Sequence, residues 1–341
     1  MIPVNRRRVW SLALTALACG LVILLVRQIG TRVIVEQCLR LGNVLPAILA
    51  LTFFKFPLEA TGWRLVLPAA QRPPWWRTVR ATLGSEAIGF VTLAGPVTAE
   101  PMRAALLQQY IPLSTGIAAG AVERTVYAST GALVTALALA IAASRSDGYS
   151  WGTALAAAIV AAIPAAVVLL ARRHGSRRST GDDTAWRAVL RGLWSDRRAT
   201  LHVIALLCLA QHVIMISEAY VMLHALGASP TLETVLMFEG VSKLANSLGA
   251  IVPGRLGIAE GSSAALAGAL GIGSSFGLSL VLMRRVRGLL WSIVGMTLLV
   301  PDLWRRSRLS AATTGGASEG APPLRDDAPD SSSILRSPGR P

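Results

Sequence analysis

Seven glutamates, Glu59, Glu86, Glu100, Glu123, Glu218, Glu239 and Glu260, fall in or beside long apolar segments of this chain. So do both of its lysines, Lys55 and Lys243, and seven arginines: Arg64, Arg103, Arg124, Arg255, Arg284, Arg285 and Arg287. The eight aspartates lie elsewhere, in loops, at segment ends or in the C-terminal stretch. A charged side chain at the centre of a bilayer costs at least about 2.5–3.5 kcal/mol. So many charges are not left facing lipid; they must turn to a shared interior and pair with one another. The chemistry open to such a set is anion binding by guanidinium forks, with the carboxylates orienting and compensating the forks while no ligand is present. The plain alternative is that the pairs only fasten helices together.

Other chemistries find no support. Cys19, Cys38 and Cys208 are isolated and have no CxxC spacing, which leaves neither a disulfide framework nor a zinc site. His174, His202, His212 and His224 lack ligand spacing as well. No aspartate pair falls in an apolar segment and there is no nucleotide-binding loop, so no cofactor, metal or enzymatic activity is expected.

The segments that must position these charges are membrane spans. Of 341 residues, 53% are hydrophobic and only 15% charged, against about a quarter charged in a soluble domain. Stretches 128–144 and 148–171 carry no charge at all. A span needs roughly 20 mostly apolar residues. The pattern places spans at 9–26, 44–67, 113–143, 151–171, 200–226 and 276–300. The N-terminal apolar run continues past Cys19, so a retained first helix fits better than a cleaved leader. The net charge of +15 would suggest nucleic acid in a soluble protein. Here the arginine runs 6–8, 172–173, 177–178, 197–198 and 305–306 flank apolar stretches, which is the positive-inside pattern. Both termini and the loop 174–198 are therefore expected in the cytoplasm, and no nucleic-acid partner is expected. The loop 27–43 weakens this topology, since it carries Arg27, Arg32 and Arg40 on the expected outer side. Past Leu309 the chain turns to Ala, Gly, Ser, Pro and Asp; residues 305–341 are expected as a disordered cytoplasmic tail after a transmembrane domain of residues 1–304.

Two segments, 81–109 and 234–269, are apolar but broken by Gly and Pro, and both carry charge. They resemble each other. Each has a first glutamate (Glu86, Glu239), a run of small residues, a Gly/Pro break and then an Ala-Glu step ending at Glu100 or Glu260. Arg124 then follows Glu100 by twenty-four positions, and Arg284 follows Glu260 by twenty-four. On the expected topology the first pair enters from the cytoplasm and the second from outside. That is an inverted repeat, and broken apolar segments at matching positions of two halves point to a transport site. The expected fold is thus all-α: a polytopic transmembrane helical bundle with two inverted re-entrant helical hairpins. The competing account is two unrelated hinge loops.

The segment Leu93-Ala-Gly-Pro-Val-Thr-Ala-Glu-Pro-Met-Arg-Ala-Ala-Leu-Leu107, the segment Val122-Glu-Arg-Thr-Val126, and Val252-Pro-Gly-Arg-Leu-Gly-Ile-Ala-Glu-Gly261 followed by Arg284 form an ordered set. In this set the chain resembles the flippase-like membrane region of lysylphosphatidylglycerol synthases and its free-standing relatives, which include membrane proteins of hopanoid-lipid gene clusters. The resemblance runs from about Val9 to Val300. Two departures stand out: Ala99-Glu100 replaces the family's Gly-Glu, and Arg255 occupies the second Gly of its Pro-Gly-Gly-Leu-Gly. The resemblance implies a bacterial inner-membrane protein that moves, or helps move, an amphiphilic, anionic or phosphate-bearing lipid between leaflets. Glu100, Arg103, Glu123, Arg124, Arg255, Glu260 and Arg284 would then hold the lipid headgroup. A membrane lipid is the expected partner; lipid-synthesis enzymes and a second copy of the chain (a homo-oligomer) are further candidates. The synthases carry a soluble aminoacyl-transferase domain after this region, and aminoacyl transfer is not expected of the present chain. The rival functions are an accessory membrane subunit of a lipid-synthesis system and a membrane glycosyltransferase.

Overall fold

The computed structural model describes residues 27, 31–92, 96–145, 198–248 and 257–315. The expected spans 9–26 and 151–171, the expected loop 174–197, Arg255 and residues 316–341 lie outside the described residues. Every regular element among the described residues is helical. In chain order they are α1 (Thr31–Gly42), α2 (Leu45–Val66), α3 (Trp75–Val91), α4 (Pro96–Leu106), α5 (Leu113–Arg145), α6 (Arg198–Ala225), α7 (Leu232–Leu248), α8 (Ile258–Ala269) and α9 (Ser274–Gly315), with one turn of 3-10 helix at Ala69–Gln71. Residues 1–299 form one compact unit, and residues 300–341 form a second.

Among the described residues, two helices, over Leu113–Ile141 and Ala199–Ala225, are long and apolar enough to cross a membrane. The pair α1 and α2 makes a third if its 66° bend falls within one span. Inside α2, Pro57 has no N–H to donate to the carbonyl one turn back, and Lys55 and Glu59 flank it. The last helix continues to Gly315, past Arg305 where a disordered tail was expected. The reason is propensity: Arg, Leu and Ala at 305–312 favour helix, and the first strong breakers are Gly315 and Gly316.

Both broken segments form helix–break–helix pairs whose arms pack on each other, α3 on α4 and α7 on α8. In the first pair, Thr92 and Thr98 share a hydroxyl–hydroxyl hydrogen bond of 2.7 Å across the break. In the second, α8 starts at Gly257 with φ +81°, which only glycine adopts without strain. The Gly257 N–H donates to Glu260 Oε2 at 2.9 Å, closing the helix start.

Glycines set how the remaining helices cross. Gly116 and Gly120 of α5 lie against Ala104 and Glu100 of α4, while Gly131 lies against Lys243 of α7 and His212 of α6. Gly277 of α9 lies on the backbone of α8 at Ser263, while Gly288 and Gly295 lie on Phe90, Leu83 and Ala87 of α3. Each half's last helix therefore packs on the second arm of its own pair and on the first arm of the other. Close backbone approach at small residues is how helices associate where hydrophobic attraction is weak. Helices α2 and α6 pack extensively on each other. One buried apolar cluster joins Trp63, Leu107 and Ile111 to Ile204 of α6, and another joins Leu41 of α1 to Met222, Phe238 and Leu280, so both clusters bind the two halves together.

Candidate functional site: two carboxylate–guanidinium clusters

The first cluster draws its charges from four helices. Glu59 of α2 lies one turn after Lys55, whose Nζ is 3.4 Å from Glu59 Oε2. From α5, Arg124 donates through Nη2 to Glu86 Oε1 of α3 at 2.7 Å and through Nε to Glu100 Oε1 of α4 at 2.8 Å. The same Nη2 lies 3.7 Å from Glu59 Oε1. A single guanidinium thus gathers carboxylates from three helices. Arg103 of α4 is fully buried and donates through Nη2 to Glu59 Oε1, with Glu100 Oε1 at 3.5 Å.

The second cluster repeats the plan. Arg284 of α9 donates to Glu218 Oε1 of α6 at 3.2 Å, to Glu239 Oε2 of α7 at 3.1 Å and to Ser242 Oγ at 3.0 Å. Arg285 reaches Glu260 Oε1 of α8 at 2.6 Å, and Arg287 donates to Glu218 Oε2. Lys243 lies one turn after Glu239 and donates to it at 2.6 Å, as Lys55 sits beside Glu59. The correspondence is Glu59 with Glu218, Glu86 with Glu239, Glu100 with Glu260, and Arg124 with the Arg284–Arg285 pair. Successive helix positions point about 100° apart. Two neighbouring arginines can therefore serve different arms, where the one Arg124 guanidinium reaches all three carboxylates.

Between the clusters stands Tyr127. Its ring lies 4.4 Å from that of His212, and Lys243 Nζ is 5.5 Å from its centroid. His212 Nε2 is 3.0 Å from Thr130 Oγ1 and 3.2 Å from the Tyr127 carbonyl.

The first cluster is not saturated. Among the described residues, the buried atoms Arg103 Nε and Nη1, Glu100 Oε2, Glu123 Oε2 and Trp63 Nε1 have no hydrogen-bond partner. A buried polar group left without a partner costs roughly 1–3 kcal/mol, and more if charged. These donors and acceptors are what a polar ligand, or water, would fill.

Four of the seven sequence-predicted residues, Glu100, Arg103, Glu123 and Arg124, come together in the first cluster. Glu260 and Arg284 fall in the second, but they are not each other's partner: the equal spacing pairs Glu100 with Arg124, whereas Glu260 takes Arg285. Arg64 serves the chain elsewhere, donating through Nε to the Pro73 carbonyl at 2.7 Å just beyond α2. Glu59, Glu86, Glu218, Glu239, Lys55, Lys243, Arg285 and Arg287 were visible as charges in apolar segments but not as site residues. The two Lys–Glu pairs four residues apart, Lys55–Glu59 and Glu239–Lys243, were the signal that marks them.

The geometry agrees with the family comparison. Residues 8–295 match the model of the lysylphosphatidylglycerol synthase TM region. The chain belongs to this family. It is accordingly a multi-pass membrane protein related to lipid modification or flipping, and both clusters of this lysylphosphatidylglycerol synthase-type region lie inside the matched span. No curated protein and no solved structure matches the chain.

Proposed function

We propose that this chain translocates, or helps translocate, an amphiphilic lipid with an anionic or phosphate-bearing headgroup between the leaflets of the bacterial inner membrane. The pairs α3/α4 and α7/α8 act as re-entrant hairpins entering from opposite faces, and both termini face the cytoplasm. The chain works as a transport protein and not as an enzyme. One observation carries the reading: in each half, arginines on one helix collect carboxylates from three others, with unfilled buried donors and acceptors in the first half. A phosphate matches the planar fork that a carboxylate now occupies on Arg124 or Arg284. A headgroup can thus replace a carboxylate without any arginine losing its counter-ion. Unpaired in hydrocarbon, the same headgroup meets a prohibitive desolvation cost.

The test is fluorescent phosphatidylglycerol translocation in proteoliposomes, normalised to folded protein, for Glu100→Gln, Arg124→Gln, Glu260→Gln and Arg284→Gln. A charged hydrogen bond contributes about 1.5–3 kcal/mol, so each change should slow translocation about tenfold or more. Normal rates in all four variants would end the proposal. Unchanged rates per folded molecule with lowered stability would assign the clusters to helix fastening. Headgroup chemistry by the purified protein would favour an enzyme.

A further inference from the structure

Glu123 of α5 is the one cluster carboxylate without an ion-pair partner among the described residues. It is 1% exposed. Its side chain packs on Gly62 of α2, with Cγ 3.7 Å and Oε1 4.0 Å from where a Cβ would stand. Its Oε2 is buried with no hydrogen-bond partner among the described residues. Helices α2, α4, α6 and α7 pack on α5 and bring titratable groups to it. From α2 come Lys55 and Glu59; from α4, Glu100 and Arg103; from α6, His212 and Cys208; from α7, Glu239 and Lys243. Glu123's own helix adds Arg124 and Tyr127, and α3 adds Glu86 through Arg124. The charges acting most directly on Glu123 are Glu59, Arg124, Arg103 and Glu100.

Counting charges turns this geometry into a mechanism. With Glu123 ionised, the clusters hold seven carboxylates, Glu59, Glu86, Glu100, Glu123, Glu218, Glu239 and Glu260. Seven cations oppose them: Lys55, Arg103, Arg124, Lys243, Arg284, Arg285 and Arg287. Counted over the described residues, the empty clusters are then neutral. An entering phosphate diester adds one negative charge, which the buried cluster cannot leave uncompensated. Arginines stay protonated, so the balance must be restored at a carboxylate. Among the described residues, Glu123 is the one whose protonation breaks no ion pair.

We propose that Glu123 is a proton-carrying site, taking up one proton at its carboxylate as an anionic headgroup binds and giving it up as the headgroup leaves. The carboxylate becomes a neutral carboxylic acid on entry and a carboxylate again on exit, with the proton drawn from water on one side and returned to water on the other. Lipid and proton cross together with no net charge. The inference rests on the lipid-translocation reading above and supplies its energy source.

Proteoliposomes of phosphatidylcholine and phosphatidylglycerol carrying fluorescent phosphatidylglycerol, with an impermeant reductant to bleach the outer leaflet, test it. A gradient of one pH unit should skew the labelled lipid toward the alkaline side by up to about tenfold, the limit for one proton per lipid. A potassium diffusion potential alone should leave the distribution unchanged, because the coupled step is electroneutral. Glu123→Gln should abolish the skew. In weakly buffered detergent solution, dihexanoyl-phosphatidylglycerol should draw about one proton per bound lipid into the wild-type protein, a measurement that does not depend on the variant folding. Labelled lipid that equilibrates with no response to the pH gradient, or binding without proton uptake, overturns the proton site and leaves translocation standing. A skew that persists in Glu123→Gln overturns Glu123 as the carrier. No equilibration under any gradient overturns the translocation reading and this inference with it.

Discussion

Replacing Glu218 with Gln removes a carboxylate that is fully buried and holds two guanidinium groups and a hydroxyl. Arg284 keeps Glu239 at 3.1 Å and Ser242 at 3.0 Å after the change. Arg287 does not fare as well, because Glu218 is its ion-pair partner and its side chain is only 15% exposed. Thr52 Oγ1, 3.4 Å from Glu218 Oε2, still donates to the Ile48 carbonyl at 2.8 Å. The dominant loss is therefore one stranded buried charge. Breaking a buried pair by removing one partner costs about 3–5 kcal/mol. The Gln carbonyl retains one acceptor and Arg287 retains some solvent, so the expected loss is at the lower end, about 3 kcal/mol. Glu36→Gln is the control: its pair with Arg40 is more than half exposed on both sides, and such pairs contribute roughly 0–1 kcal/mol. Neutralising both partners, Glu218→Gln with Arg287→Gln, should recover about 1–3 kcal/mol relative to the sum of the single changes, as coupled neighbours do. Thermal and denaturant unfolding in mixed micelles reads all four proteins. A Glu218→Gln protein as stable as Glu36→Gln, or single losses that simply add, would refute the argument that Glu218 compensates Arg287.

Three further outcomes are expected. Gly277→Ala places a methyl group on the Ser263 backbone of α8 and should lower stability by about 1–3 kcal/mol or more, whereas Gly42→Ala, with nothing within 4 Å, should match wild type in the same melt. Gly120→Ala drives its new methyl into Glu100 Oε2, the free end of a side chain; lipid translocation should fall, since Glu100 must leave Arg124, and stability should fall less than in Gly277→Ala, whose clash is with backbone. Ser179→Cys, in a background lacking Cys19 and Cys38, should resist an impermeant maleimide in intact cells and react after permeabilisation; ready labelling in intact cells would invert the proposed topology.

The all-helical fold, the helices at 44–67, 113–143 and 200–226 and the two broken segments were legible because apolar run length and Gly/Pro breaks are local signals. The clusters were legible only as a list of misplaced charges. Which carboxylate meets which arginine depends on how α5 and α9 cross the two helical pairs, and no local pattern encodes that crossing. Part of it was written in the chain unread: Gly116 and Gly120 form a small-xxx-small step at the approach of α5 to α4. The partner of Glu260 could not be read at all, because Arg284 and Arg285 are adjacent in sequence and differ only in helix azimuth. Most of the expected loop 27–43 is instead the helix α1. Its break from α2 was legible all the same, since Gly42 and Pro46 bracket the turn residues Asn43 and Val44.

The placement of the second cluster's cations has a consequence for biogenesis. Glu218, Glu239 and Glu260 leave the ribosome on α6, α7 and α8, but the arginines that neutralise them come last, on α9. A chain that stops short of Arg284 would present three carboxylates to the bilayer with only Lys243 and Arg255 to oppose them. The first half carries a smaller debt, since Lys55 precedes its glutamates and Arg103 and Arg124 follow Glu100 and Glu123 within three residues. Insertion of this protein therefore completes only when its last helix arrives. A nonsense or frameshift change anywhere before residue 284 should hand membrane quality control a recognisable substrate, an acidic hairpin that cannot settle in lipid.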